Sequence, residues 1–283
     1  MVTNLTTGNF KASIHGKPVR FISVTAVAPE CVMILLDSSG SMTTHRREWH
    51  AYIAVARDLI DRLPSQSLVG LAIFNVKLQE TIPPSSDLQR LRNELIALQA
   101  GARTLKGKTA LWDALYEVSS QFEIHQGGGV IYLLTDGRDN ASKISTSRVR
   151  TQLLEKQIRV FAFTLLDPTG QHIPEVQSEE LSFQGFVEGT GGSAVSIPSD
   201  RIGHLRTPTD KSGKVTEEEM QLSEQFSQVA SFNRVEMQFP ALVEKEQDWE
   251  LKIIGLPTHN LKVVYPQRLT RCAESARGAA TDR

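Results

Sequence analysis

Short apolar runs alternate with helix-period stretches along most of the chain. Cys31 to Leu36 (CVMILL) is apolar throughout and ends on an aspartate, which predicts a strand buried on both faces. Trp49, Tyr52, Ile53, Ala56, Leu59, Ile60 and Leu63 then recur at steps of three and four, one face of a helix closed by Pro64. Leu68 to Asn75 (LVGLAIFN) reads as a second strand. Ser86 and Gln89 have the spacing of a capping box, ahead of a helix carrying Leu88, Leu91, Leu95 and Leu98. Leu111, Ala114, Leu115, Val118 and Phe122 mark the next helix, and Val130 to Gly137 (VIYLLTDG) repeats the plan of an apolar run followed by Asp.

A polar helix from about Thr146 to Lys156, with Val149 and Leu153 inward, leads to the strand IRVFAFTLL. A helix over Glu179 to Glu188 precedes Thr190-Gly191-Gly192 and a short strand, SAVSIP. Residues 200–215 read as a loop, and Thr216 with Glu219 caps a helix bearing Met220, Phe226 and Val229. Strand alternating with helix over this length predicts an α/β, doubly wound and mostly parallel sheet.

Two segments stand outside that alternation. Residues 1–30 hold two strand-like stretches around a His-Gly-Lys-Pro turn, and residues 233–270 hold VEMQFP, WELKIIG and LKVVYP between turn residues. They predict small β additions, paired with each other or with a sheet edge. The expected division is thus a leader at 1–30, the α/β domain at 31–232, a β segment at 233–270 and a loose tail at 271–283.

Composition removes several classes. Over 283 residues, 40% hydrophobic and 22% charged, the chain has a formal net charge of −1, so no global field favours nucleic acid. Apolar runs fall far short of the roughly 18 residues a membrane span needs. The first residues lack the basic start and apolar stretch of a signal peptide. Cys31 and Cys272 form no metal motif. They leave two readings, a bond between the chain's flanks or a small buried thiol and a separate tail cysteine.

The chemistry concentrates in three places. In Asp37-Ser38-Ser39-Gly40-Ser41 the alternate positions 37, 39 and 41 face one spot in an extended loop, one carboxylate with two hydroxyls. Thr109 stands at the mouth of a helix in GKTALWDAL, and Asp136 follows the VIYLLT strand. In open α/β sheets ligands gather at the carboxyl ends of strands where chain order reverses. Two carboxylates and three hydroxyls suit a hard cation, Mg²⁺ first, with Mn²⁺ or Ca²⁺ as alternatives.

Together, DSSGS, the Thr of GKTAL and the Asp of LLTDG resemble the metal-ion-dependent adhesion site of von Willebrand factor A-type domains, and TGG before the last strand is similar to that family too. The resemblance covers about residues 30–232. It implies a Rossmann-like, six-stranded sheet with helices on both faces, and a metal site of Asp37, Ser39, Ser41, Thr109 and Asp136. It implies a non-enzymatic adhesion or interaction module, in which a partner protein's Asp or Glu completes the cation's shell. Met42, His45, Arg46, Arg138 and Asp139 are the candidate partner-binding rim. The leader LTTGNFKASIHGKPVRFISV resembles a bacterial, usually exported subgroup, which implies a secreted or extracytoplasmic location, with the cytoplasm as the alternative.

Two other functions fit the same motifs: a cytoplasmic adaptor working with an AAA+ ATPase in complex assembly or metal insertion, and a metal-dependent hydrolase. The second lacks an evident base or nucleophile, and no GxSxG elbow occurs. Gly101 with Gly107-Lys108-Thr109 imitates a phosphate-binding P-loop, but five residues separate the glycines instead of four, and a helix precedes them.

Overall fold

The computed structural model describes residues 5–14, 16–43, 46–100, 107–122, 128–166, 183–201, 215–239, 247–256 and 263–269, with the backbone alone at 41, 43, 46–48 and 248. At its centre is a six-stranded sheet made by β4 (Cys31–Asp37), β5 (Leu68–Phe74), β6 (Leu78–Ser85), β7 (Gly129–Thr135), β8 (Ile158–Leu166) and β9 (Ala194–Pro198). The order is β6-β5-β4-β7-β8-β9, parallel throughout except for β6, which returns antiparallel along β5. The expected mostly parallel, doubly wound α/β sheet is therefore the observed one.

β4 is buried along its whole length because both of its faces are covered. Val32, Ile34 and Leu36 point into one core with α1 (Arg46–Arg62), α2 (Leu88–Ala100) and α6 (Glu217–Ala230). Cys31, Met33 and Leu35 point into the other, with α3 (Leu111–Ser120), α4 (Thr146–Glu155) and a helix over 183–189, α5. Each fully buried Val, Leu or Ile contributes about 1.5–3 kcal/mol relative to exposure, so this layer carries much of the stability. The sequence-expected helix at 179–188 is helical from 183, and its first residues lie outside the described ones.

Two local expectations are corrected. The N–H of Arg90 donates to Asp87 Oδ1 at 3.0 Å, so Asp87 caps α2 in place of Ser86. β6 has no counterpart in the apolar pattern, because it holds Pro83 and Pro84 and is only partly buried; an edge strand tolerates prolines that an interior one does not. At α6 the expected cap holds, with Glu219 N donating to Thr216 Oγ1 at 3.3 Å.

The flanks pair with one another. β1 (Phe10–Ile14) lies antiparallel between β2 (Lys17–Pro18) and β12 (Glu250–Ile253), and β3 (Arg20–Val27) runs antiparallel to β10 (Phe232–Gln238). β11 (Gln247–Asp248) pairs with β13 (Arg268–Leu269). Phe10, Ile14 and Val19 are buried, whereas Val263 stays exposed. Among the described residues no helix is long and apolar enough to cross a membrane. Cys31 is buried and free there, its thiol pushed up to about 12 mainly by burial; Cys272 lies outside the described residues.

Candidate functional site

From β4 the sheet grows one way to β5 and the other way to β7, so the crevice between the carboxyl ends of β4 and β7 is where chain order reverses. Asp37 ends β4 and Thr135 ends β7. Asp37 is fully buried. Its Oδ1 accepts from the N–H of Ser39 at 2.8 Å, and its Oδ2 accepts from Thr135 Oγ1 at 2.7 Å. Burial first, and repulsion from the Asp136 carboxylate second, push the Asp37 carboxyl up to about 7, against the opposing hydrogen bonds of Thr135 and Ser39. The two expected carboxylates thus sense each other across the crevice.

Three loops are tied into one unit. Ser38 fastens the first to β5, its N–H at 2.7 Å and its hydroxyl at 2.8 Å from the carbonyl of Phe74. Gly40 N donates to the carbonyl of Gly107 at 2.9 Å, which brings the Thr109 loop against it. Gly107 has φ +95, a conformation that favours glycine.

The Thr109 and Asp136 loops are laced together more heavily. Thr109 is buried; its N–H donates to Asn140 Oδ1 at 2.9 Å, and its carbonyl accepts from Asn140 N and Ala141 N, both at 3.0 Å. Ala110 supplies no side-chain cap to α3. Instead Leu111 N donates to Asp139 Oδ1 at 2.8 Å and Trp112 N to Ser142 Oγ at 2.9 Å. In return Asp113 accepts from Lys143 N and Ile144 N at 3.0 and 2.9 Å. The free donors of a helix start are satisfied from the neighbouring loop, which fixes Thr109 relative to Asp136.

The expected residues fare differently. Asp37, Ser39, Thr109 and Asp136 stand on these converging loops. Ser41 lies in a short 3₁₀ turn, Gly40–Thr43, with its side chain outside the described residues. Of the rim, Met42 is a correction: it is 1% exposed and packs in the core under α1, so it offers no partner surface. Asp139 is half-buried, and its Oδ1 accepts from Leu111 N in capping α3 and from Ser142 Oγ. Arg138 is exposed, with its N–H on Asp136 Oδ1 at 3.0 Å. His45 and the side chain of Arg46 lie outside the described residues.

Thr135, Ser38 and Asn140 are participants that the motifs did not single out. Thr135 could have been suspected from its place beside Asp136, whereas Asn140 acts through contacts no spacing shows. Behind them, Tyr52 of α1 donates to the Thr135 carbonyl at 3.0 Å and accepts from Leu165 N at 3.2 Å, joining the ends of β7 and β8.

All donors gathered here are oxygens, and the buried Asp37 carboxylate forms no ion pair with Lys or Arg among the described residues. That chemistry fits a hard cation. No group of three or more His, Cys, Asp or Glu side chains is placed to hold a metal among the described residues, so any cation here relies on hydroxyls beside two carboxylates.

The stretch that carries these loops can be placed. Residues 32–138 match the von Willebrand factor type A domain. The match runs from β4 through Asp136, and the six-stranded sheet extends the same fold beyond it. A von Willebrand factor type A protein from Catenulispora acidiphila is similar at 14% identity and TM-score 0.53, over 81% of this chain and 52% of that one. Proximal thread matrix protein 1 from the mussel byssus is similar at 14% identity and TM-score 0.50, over 76% and 50%. The chain therefore spans about half the length of both. The conserved hypothetical protein BatB from Bacteroides thetaiotaomicron aligns at 19% identity and TM-score 0.46, over 69% of this chain and 98% of that one. At 14% identity the likeness to the first two is one of fold. No curated protein matches the chain.

Proposed function

We propose that the protein is a non-enzymatic binding module that takes up a divalent cation, Mg²⁺ in the first place, and through it the carboxylate of a partner protein. Asp37, Ser39, Ser41, Thr109 and Asp136 are the residues that would hold the ion, directly or through water. When bound, the cation supplies an electrophilic centre that keeps affinity for an outside carboxylate, because only two protein carboxylates neutralise it.

The observation that carries this reading is Asp37: a fully buried carboxylate at the end of β4, held up near 7 by burial and by a second carboxylate. A buried charge with no cation beside it is costly, and a bound dication offsets that cost. The chain's own residues do the positioning. Thr135 and the Ser39 N–H orient the Asp37 carboxylate, and Asn140 holds the Thr109 backbone in place.

Calorimetric titration of Mg²⁺ into the full chain tests this. The parent protein should bind one ion, while Asp37→Ala and Asp136→Ala, each removing half of the site's formal negative charge, should show no measurable uptake with an unchanged circular dichroism spectrum. Equal affinity in parent and both variants would contradict the assignment.

A further inference from the structure

Around the crevice, one surface feature remains unused by the binding of a cation. The turn between β5 and β6 rises at the same end of the sheet and presents Val76, 49% exposed. It is a well-exposed large apolar side chain on a loop at this end. Isolated exposed apolar residues are ordinary on a protein surface, so position and rigidity decide its meaning.

Val76 is held firmly. Asn75 Oδ1 accepts from Val76 N at 2.6 Å and from Gln79 Nε2 at 2.9 Å, and Asn75 N donates to the Lys77 carbonyl at 3.1 Å. The turn is bolted to the site, because Ala110 N, next to Thr109, donates to the Asn75 carbonyl at 2.8 Å. Val76 Cγ1 stands 4.0 Å from where a side chain on Gly107 would begin. A rigid apolar contact beside a binding site loses little entropy on association.

The charges nearby have a direction. Lys77, Lys108 and Arg138 are exposed on these loops. Asp113 and Asp139 lie among them with their carboxylates on backbone N–H groups, and with Asp37 and Asp136 they leave the three cations one charge short until a dication binds. The chain as a whole is at −1, so a dication bound here makes this face locally positive against a neutral background.

We infer that the partner is a protein segment rich in acidic residues in which the carboxylate donor is flanked by an apolar side chain, the apolar group seating on Val76 and the further acids facing Lys77, Lys108 and Arg138. The inference rests on the metal-dependent reading above and deepens it. Exposed charge pairs of this kind add little affinity each but raise the association rate and set which partners are accepted.

A displayed peptide library with a fixed central Asp and random flanks, selected on the full chain in Mg²⁺, tests it. Selected peptides should carry an apolar residue next to the Asp and acids beyond it. Val76→Ser should weaken them about tenfold, the scale of losing much of one buried Val contact. The double variant Lys77→Glu/Lys108→Glu should slow association and flatten its salt dependence. Thermal melts like the parent's should show that these turn variants stay folded. Mg²⁺-dependent peptides with no apolar preference, or unaffected by Val76→Ser, would overturn this inference and leave the metal reading intact. Apolar-acidic peptides that bind equally in EDTA and to Asp136→Ala would overturn the metal reading instead. A selection yielding no Mg²⁺-dependent binder would overturn both.

Discussion

The two ends of the central sheet are built from the same small vocabulary of threonine, glycine and charged side chains, yet the charge buried at each end differs in sign and surroundings. At the amino end, Thr190 Oγ1 accepts from Val160 N at 2.9 Å and donates to the Val187 carbonyl at 2.7 Å. Gly191, at φ +84, lies under Pro266 of the flank, and Gly192 is pressed so close to β8 that a Cβ would stand 1.7 Å from the Val160 carbonyl oxygen. Lys156 Nζ donates to the carbonyls of Ser119 and Phe122, both at 2.9 Å, closing the end of α3. Each of these polar groups is spent on the backbone. At the carboxyl end Asp37 is a buried carboxylate repelled by a second one. The amino end buries a charge too, the Arg159 guanidinium over the rings of Phe161 and Phe232, so the ends differ in sign and in company: a cation on aromatic faces against a carboxylate beside another carboxylate.

Substitutions that separate the two ends should follow that difference. The largest effect is expected from Gly192→Ala: the added methyl has no room against β8, and the cost should be about 3 kcal/mol or more in denaturant unfolding, while Mg²⁺ affinity of the folded fraction is retained. Thr190→Val should cost about 1–3 kcal/mol by leaving the Val160 N–H unpaired, again without touching Mg²⁺ affinity. Thr135→Val is the counterpart at the other end. Losing its bond to Asp37 frees the carboxylate to rotate, and titration should show Mg²⁺ affinity about tenfold weaker, the scale of one charged hydrogen bond. If Thr190→Val weakens Mg²⁺ as much as Thr135→Val does, the two ends are not separable.

The smallest effect concerns Cys31, at the amino end of β4. Burial raises its thiol from 9.0 to about 12, so at pH 8 it is neutral as well as enclosed. Peptide mapping after a short exposure to iodoacetamide should find Cys31 unmodified in the native protein and fully modified in denaturant. Rapid labelling in native conditions would mean that the start of β4 opens readily.

How much of this the sequence discloses depends on where the partners lie. The interior strands declare themselves, since Cys31–Leu36 and Val130–Leu134 are hydrophobic at every position and such runs fit a sheet covered on both faces. β6 is hidden because the features that mark a strand, apolarity and freedom from proline, are relaxed at an edge. The site is legible as far as single side chains reach: the Asp-x-Ser alternation and the Asp after an apolar run both point to strand ends. What holds the site is not legible, because Asn140, Asp139 and Ser142 act on the backbone of a loop some thirty residues earlier in the chain. Met42 misleads for a related reason: next to Ser41 in the chain, it turns inward to the α1 core.

On this proposal a divalent cation binds at the carboxyl end of the sheet, between Asp37 and Asp136. Mn²⁺ tests location and binding together, since it broadens backbone amide signals in NMR steeply with proximity. β7 alone, seven residues long, separates the two ends by about 20 Å. Sub-stoichiometric Mn²⁺ should bleach the amides of 38–40, 109–110 and 136–138, spare those of 158–160 and 190–194, and do neither in Asp37→Ala. Broadening centred elsewhere, or the same pattern in Asp37→Ala, would contradict the claim.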